Sequence, residues 1–332
     1  MIRAPLRISL AGGGSDLIPY VQSYGGQVVS FAIKKYVYLA FHETFFDGIR
    51  LAYSRTENLA NRSQIEHPLF RNAFKLFNFD NNIEIGSFAD VPSSGTGLGS
   101  SSAFTVALVA GLRKLSGLSL DKHEIANTAC HIEIDMCGDP IGKQDQFASA
   151  FGGLNKYNFR QDGQTEVTPI VINPIELSAV KKSLMLFYLG TGRSASEILT
   201  EQNHSLKSAS IQTDMTSKLV NQVSPMIDAL QAGNVNEVGS LLHDNWVLKK
   251  RMSSGVSNDL IDSYYELSLR LGAIGGKVLG AGGGGFLLLC VPVSTQNAFR
   301  ATFPLQEVLF ELDNTGVKEI SLSDSGGVSV AF

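Results

Sequence analysis

Two carboxylates, Glu133 and Asp145, stand in an otherwise largely apolar stretch, Cys130-His131-Ile132-Glu133-Ile134-Asp135-Met136-Cys137-Gly138-Asp139-Pro140-Ile141-Gly142-Lys143-Gln144-Asp145-Gln146. Glu133 falls late in a predicted helix. Asp145 follows a Gly-Asp-Pro turn and opens an apolar run through Phe147, Ala148, Ala150 and Phe151. A carboxylate there is partly desolvated, with Lys143 close by in sequence. Two acids on different local elements can divide the labour of phosphoryl transfer, one on a metal ion and one beside the acceptor hydroxyl. The structural alternatives are a helix N-cap for Asp145 and a solvated helix face for Glu133. Cys130, His131 and Cys137 match no zinc spacing and read as core-lining residues.

Upstream lies Pro92-Ser93-Ser94-Gly95-Thr96-Gly97-Leu98-Gly99-Ser100-Ser101-Ser102-Ala103. Glycines let successive backbone N–H groups turn toward one point. A helix beginning at residue 100 adds its free N–H groups and the positive end of its dipole. Such a cradle suits nucleotide phosphates, and the serine hydroxyls can bond phosphate or coordinate Mg²⁺. The loop lacks the lysine of GxxxxGK[ST] and the third glycine of a dinucleotide fingerprint. Without a ligand it is a glycine-rich turn capped by serine.

These residues need elements to hold them. Residues 3–10 predict a strand, 27–33 and 36–42 a strand pair, 69–78 a short amphipathic helix and 83–88 a strand. Helices are expected over 100–115 and 121–136, the second with Asp121 as N-cap and Glu124 in a capping-box position. A β-rich stretch covers 154–172. Beyond a boundary near 175–182, residues 184–190 read as a buried strand. Helical patterns follow at 195–209, 215–232, 235–249 and 258–271, then strands at 285–292, 317–323 and 327–332, with a helix after the first of these. Gly12-Gly13-Gly14 and Gly280-Ala281-Gly282-Gly283-Gly284-Gly285 are two further tight clusters among the 33 glycines, each bounded by apolar runs.

A chain of 332 residues, 44% apolar and 17% charged, can bury a large core without staples. Its net charge of -4, from 27 basic and 31 acidic residues, provides no basic field for nucleic acid. An anionic substrate therefore requires a local basic pocket. Three cysteines, an odd number, fit a reducing compartment. The basic residues flanking the short apolar start do not make a signal peptide, and no apolar run approaches a membrane span. The expectation is a soluble cytoplasmic protein that binds neither nucleic acid nor membrane.

The chain resembles the GHMP kinases, on three motifs in order: Pro5-Leu6-Arg7-Ile8-Ser9-Leu10-Ala11-Gly12-Gly13-Gly14-Ser15-Asp16, the 92–103 loop, and Gly280 to Phe286. The opening motif, with Lys35-Tyr36-Val37-Tyr38, Gly190-Thr191-Gly192-Arg193-Ser194-Ala195-Ser196-Glu197 and Gly276-Lys277-Val278-Leu279, resembles the sugar-kinase branch. Ser15 replaces a threonine common in relatives and keeps the hydroxyl. The resemblance implies an α+β, two-domain GHMP kinase fold. A ribosomal S5 domain 2-like domain would occupy residues 1–178 and a ferredoxin-like domain residues 179–332, with the active site between them.

The resemblance also implies ATP and Mg²⁺ as cofactors and a sugar phosphate as acceptor, namely the anomeric hydroxyl of a heptose 7-phosphate. Pro92, Gly95, Gly97, Leu98, Gly99, Ser100, Ser101 and Ser102 would wrap the ATP phosphates, and Ser101 and Glu133 would hold Mg²⁺. Asp145 and Arg7 would be catalytic, as proton acceptor and as stabiliser of the transferring phosphoryl charge. Asp16, with Gly13, Gly14, Ser15, Gly283 and Gly284, would bind the sugar. Arg193 and Lys277 are candidates for its distal phosphate, or else ordinary surface charges. The chain would be a monomer or a homodimer. Competing expectations are a kinase of an unphosphorylated sugar such as fucose or galactose, and a nucleotide-binding protein that has lost the chemistry.

Overall fold

The computed structural model describes residues 1–320 except 46, 81, 93–94, 191–199, 201–209 and 254. Arg193, most of the 190–197 motif, the helical pattern at 195–209 apart from Thr200, the strand at 327–332, the segment 323–328 and residues 321–323 of the strand at 317–323 lie outside the described residues.

The first sheet is built on two strands, β1 (Ile2–Ala11) and β2 (Gly26–Glu43). They pair antiparallel, and β1 is apolar nearly throughout because both of its faces are covered. The two strands expected at 27–33 and 36–42 are one. Pairing runs to Leu6–Ile33 and resumes at Pro5–Tyr36, so Lys34 and Lys35 form a bulge opposite Pro5. The bulge explains why the pattern looks interrupted although the strand continues. The first half of β2 pairs with β6 (Leu154–Phe159), which carries β7 (Thr165–Pro169), and the second half with β5 (Ile83–Ala89). Beyond β5 lie β3 (Ile49–Ala52) and β4 (Thr56–Leu59), four residues each and unmarked in the sequence. The parallel pair β3 and β5 is connected through β4 and α2 (Pro68–Leu76), which buries Leu69, Phe70, Ala73 and Phe74.

Helix α3 (Ser100–Leu115) crosses β1 and β2. Its run Ala103 to Leu112 is almost wholly buried, so it is a core helix rather than an amphipathic one. The helix expected over 121–136 is α4 (Lys122–Cys130), capped by Asp121 accepting from the Glu124 N–H, followed by a π-helical turn over His131–Met136. Helix α5 (Gln144–Phe151) packs on α3, α4 and β1. Preceding these, α1 (Ile18–Tyr24) follows the first glycine cluster.

Helix α6 (Pro174–Ser183) leads into β8 (Leu184–Gly190) of a second, antiparallel sheet. Its order is β11 (Gln306–Glu307), β8, β10 (Gly285–Cys290) and β9 (Gly275–Val278). The pattern at 215–232 proves to be two helices, α7 (Ser210–Asn221) and α8 (Val223–Gln231), broken at Gln222. α9 (Val235–Lys250), α10 (Asp259–Arg270) and α11 (Gln296–Thr302) complete the layer. Trp246, Tyr265, Phe187, Phe299 and Phe303 form a core of their own. A larger core runs from β1 and β2 through α8 and α9 to β10, so the two sheets share apolar surface. At the end of the described chain β12 (Lys318–Glu319) pairs with Ile2 and Arg3 of β1. Among the described residues, no helix is long and apolar enough to cross a membrane.

Candidate active site

Arg7 lies buried in the middle of β1. Its backbone N–H donates to the Leu98 carbonyl at 3.0 Å, which docks the strand against the second glycine loop. Its guanidinium forks onto Asp145, with Nε and Nη2 each 2.8 Å from a carboxylate oxygen, and Nη1 donates to the Gly97 carbonyl. Such a two-point grip fixes the carboxylate plane as well as its position. Asp145 sits in the first turn of α5, not at its N-cap, with its side chain 26% exposed. The N-cap is Lys143, whose ammonium turns away to the Gly163 carbonyl at 2.8 Å. The cation beside Asp145 is thus Arg7, 138 residues earlier, and not its sequence neighbour.

Gln144 ties this clamp to the first glycine cluster. Its Nε2 donates to Asp145 at 3.1 Å, its Oε1 accepts from Ser9 Oγ at 2.7 Å, and its backbone N–H donates to Asp16 Oδ2 at 3.1 Å. Asp16 accepts also from the Gly14 N–H at 3.2 Å. Burial, and next the charge of Asp145, hold the Asp16 carboxyl above its ordinary range. A Cβ on Gly142 would stand 2.1 Å from Asp16 Oδ2, so only glycine lets that strand of chain lie against the carboxylate. Ser15 is fully buried and exchanges hydrogen bonds with the Gln27 backbone, which holds the turn. A Cβ on Gly13 would meet Ser9 Oγ, whereas the space beside Gly14 is open.

Gly99, at φ +77°, is the N-cap of α3, and no side chain caps that helix. A Cβ there would fall 3.1 Å from Asp145 Oδ2, so the open helix terminus lies directly beside the clamped carboxylate. Thr96 and Ser100 share a hydrogen bond of 2.8 Å that braces the loop. Ser100 and Ser102 are buried, Leu98 contributes its backbone while its side chain joins the core, and Pro92 and Ser101 are exposed. From α3, the Ser101 hydroxyl donates to Glu133 Oε1 at 3.1 Å. Glu133 rides on the π-helical turn, a distortion frequent at functional sites. It is fully buried, and burial pushes its carboxyl up to about 7 despite hydrogen bonds from Gln146, Ser102, Ser101 and Thr105. Gln146 Nε2 donates to its other oxygen. A hydroxyl and one carboxylate are hard oxygen donors of the kind Mg²⁺ takes when phosphates complete its shell.

The third glycine cluster closes the site from the other sheet. A Cβ on Gly97 would stand 2.3 Å from the Leu279 carbonyl oxygen, one on Gly280 2.3 Å from Gly97 Cα, and one on Gly285 2.4 Å from the Thr96 carbonyl oxygen. The two loops therefore interlock backbone against backbone. Gly283 donates to the Val256 carbonyl at 2.8 Å, next to Gly284. Lys277, on β9, is only 2% exposed and reaches the Leu10 carbonyl of β1 at 3.5 Å. It is a buried amine rather than a surface charge, and burial lowers its pKa well below the ordinary lysine range. Sequence reasoning missed Lys249, near the end of α9, which donates to the Gly280 carbonyl. Burial, then the nearby Arg7, lower its ammonium to about 8, while Asp16 and Asp145 oppose the shift. The available signal was helical spacing, because Lys249 continues the buried stripe of Leu242, Asn245 and Trp246.

Two family models match the chain, the GHMP kinases N terminal domain over residues 63–153 and the GHMP kinases C terminal over residues 226–302. The D-glycero-alpha-D-manno-heptose 7-phosphate kinase of Campylobacter jejuni is 29% identical, covering 95% of this chain and 97% of the relative. The L-fucokinase/L-fucose-1-P guanylyltransferase of Bacteroides fragilis is 27% identical over 98% of this chain and 38% of its own length. Among solved structures, a D-glycero-D-manno-heptose 1-phosphate kinase from Bacteroides thetaiotaomicron superposes with a TM-score of 0.77 at 25% identity, covering 97% of this chain and all of that one.

Proposed function

The chain belongs to the GHMP kinases and has their two-domain fold; it is a sugar kinase, a phosphotransferase with an alcohol acceptor, and from that premise we propose that it transfers the γ-phosphate of ATP to the anomeric hydroxyl of D-glycero-D-manno-heptose 7-phosphate, giving the 1,7-bisphosphate. The observation that carries the transfer is the Arg7–Asp145 clamp beside the open N-terminus of α3. A fixed carboxylate there lies next to a cradle for phosphates, where an acceptor hydroxyl must meet the γ-phosphorus. The end-to-end likeness to the Campylobacter relative supports the heptose phosphate as acceptor.

In this reading the backbone of Gly95–Ser102 holds the ATP phosphates. Ser101 and Glu133 hold Mg²⁺, which when bound offsets the charge of the β- and γ-phosphates. Asp145 orients the acceptor hydroxyl and takes its proton. Arg7 holds Asp145 and offers its remaining N–H groups to the phosphoryl oxygens. Asp16 accepts from ring hydroxyls, beside Gly13, Gly14, Gly283 and Gly284. Arg193 and Lys277 serve the distal phosphate. We keep the division into residues 1–178 and 179–332 as part of this proposal, supported by the two sheets and qualified by β12, which returns to β1. A cytoplasmic protein, as monomer or homodimer, completes it.

A second reading, supported by the fucokinase likeness over 98% of the chain, is a kinase of an unphosphorylated sugar. The test is ATP consumption with Mg²⁺ over heptose 7-phosphate, heptose 1-phosphate, mannose 6-phosphate, fucose and galactose. Turnover selective for the heptose 7-phosphate is expected, with a product phosphorylated at the anomeric carbon. Turnover on fucose or galactose alone would replace the first reading by the second.

A further inference from the structure

Arg7, Asp16, Asp145, Ser101 and Glu133 all have partners that explain them. Two lysines do not. Lys277 is almost completely enclosed, and among the described residues its hydrogen bonding is the long contact to the Leu10 carbonyl. Lys249 is half-buried, and its ammonium donates to the Gly280 carbonyl. Among the described residues neither makes an ion pair. They nonetheless lie close to Arg7: Lys249 ends on the Gly280 carbonyl, Gly280 packs against Gly97, and Arg7 donates to the Gly97 carbonyl, while Lys277 ends on Leu10 of the same strand as Arg7. Three basic side chains from β1, α9 and β9 thus meet where, among the described residues, Asp16 and Asp145 are the acids.

Enclosing ammonium groups with too little counter-charge is expensive, so burial favours their neutral form, and an anion arriving between them would restore the charge. Carbonyl oxygens at Leu10 and Gly280 hold each lysine head in place but carry no net charge. Both carbonyls belong to glycine-cluster segments of the site, which sets the lysine heads beside the clamp. We propose that Lys249 and Lys277 form a phosphate-binding pair that receives one phosphate group of the bound substrates, with Lys249 as a substrate-contacting residue contributed by α9. The pair takes a phosphate dianion, carried by the sugar or as the terminal phosphate of the nucleotide. The proposal deepens the kinase reading and rests on it only for which phosphate arrives.

The test begins without sugar or nucleotide. Thermal unfolding of the full chain is followed as inorganic phosphate is raised at constant ionic strength. The wild type is expected to gain stability, and Lys249→Met and Lys277→Met to show at least about fivefold weaker apparent affinity for phosphate. Lys249→Arg, which keeps the charge, should retain most of the response. A methionine is close in length and brings no buried charge, so the folded state is expected to persist. An unchanged phosphate response in both methionine variants overturns the pair. Kinetics then name the source. A rise of about tenfold or more in KM for the sugar phosphate, with KM for ATP within about twofold, assigns the pair to the acceptor. A fall of about tenfold or more in kcat with both KM values held assigns it to the transferred group. Kinetics unchanged in every respect also overturn it. If no sugar phosphate is turned over by the wild type, the substrate reading falls, while the phosphate titration still decides this proposal.

Discussion

Two neighbouring parts of the site solve opposite electrostatic problems. Around Asp145 and Asp16 the chain gathers Arg7, Lys249 and Lys277, so basic side chains outnumber carboxylates. Around Glu133 every hydrogen-bonding partner is neutral, and the carboxylate is enclosed without a counter-charge. The first part is short of an anion and the second of a cation. A metal-bound polyphosphate supplies both at once, which gives a physical reason for one ligand to bind across the two. Neither part is at rest without it: burial depresses the lysines on one side and raises the carboxyl on the other.

The comparison can be broken most decisively at Asp145. Asp145→Asn is expected to lower kcat about a thousandfold while the Kd for ATP stays within about threefold. Steady-state turnover and nucleotide titration check this, and near-normal turnover would remove the proton acceptor from the charged half. Glu133→Gln probes the neutral half, with turnover falling about a hundredfold and stability moving the other way. Burial holds the Glu133 carboxyl at about 7 in the folded chain, against 4.5 for an exposed glutamate. Between those pH values the folded chain keeps a proton that the unfolded chain releases. Wild-type stability therefore falls as pH rises through that window, and the full cost persists above it. At pH 8 the variant should be more stable than the wild type by about 3 kcal/mol, a difference gone at pH 4. Gln146 Oε1, buried without a partner, is available to accept from the new amide. Denaturant unfolding at the two pH values decides, and a variant less stable at pH 8 would contradict an uncompensated carboxylate.

Arg193→Ala should raise KM for the sugar phosphate about tenfold and leave KM for ATP nearly unchanged. Equal effects on both would take Arg193 out of the acceptor site. The smallest effect belongs to Lys143→Ala. Since Lys143 faces the Gly163 carbonyl, kcat and KM should stay within about twofold of the wild type. A larger loss would mean that the sequence neighbour of Asp145, and not Arg7 alone, sets its environment.

The glycine loops, the acidic residues and most long elements were legible because their signals are local. Helix α3 and strand β8 fall on the expected residues, since one follows a glycine cluster and the other is a compact apolar run. Strands β3 and β4 were not, because four residues with alternating burial give no periodic signal. The break in the 121–136 pattern was also invisible: the apolar spacing continues while the hydrogen bonding shifts into the π-helical turn. Pairings escaped for a different reason. Nothing near Asp145 marks Arg7 as its partner, and nothing near Lys277 marks Leu10, which lies 267 residues away. Lys249 and Lys250 together form a basic last turn of α9, as helices commonly have. Only the phase of Lys249 relative to Trp246 distinguishes it from exposed lysines elsewhere on the chain.

Strand β1 carries one more consequence. Its inner side is paired with β2, and among the described residues its outer edge meets β12 at Ile2 and Arg3. Further along, the outward Arg7 N–H is taken by the Leu98 carbonyl, and the Leu10 carbonyl by Lys277. The groups that build the site thus also shield a long apolar strand that could otherwise template pairing with another chain. Substitutions that dislodge the second glycine loop or Lys277 are therefore expected to cost soluble yield as well as turnover, and a nascent chain that has not yet reached β9 carries β1 as an adhesive edge.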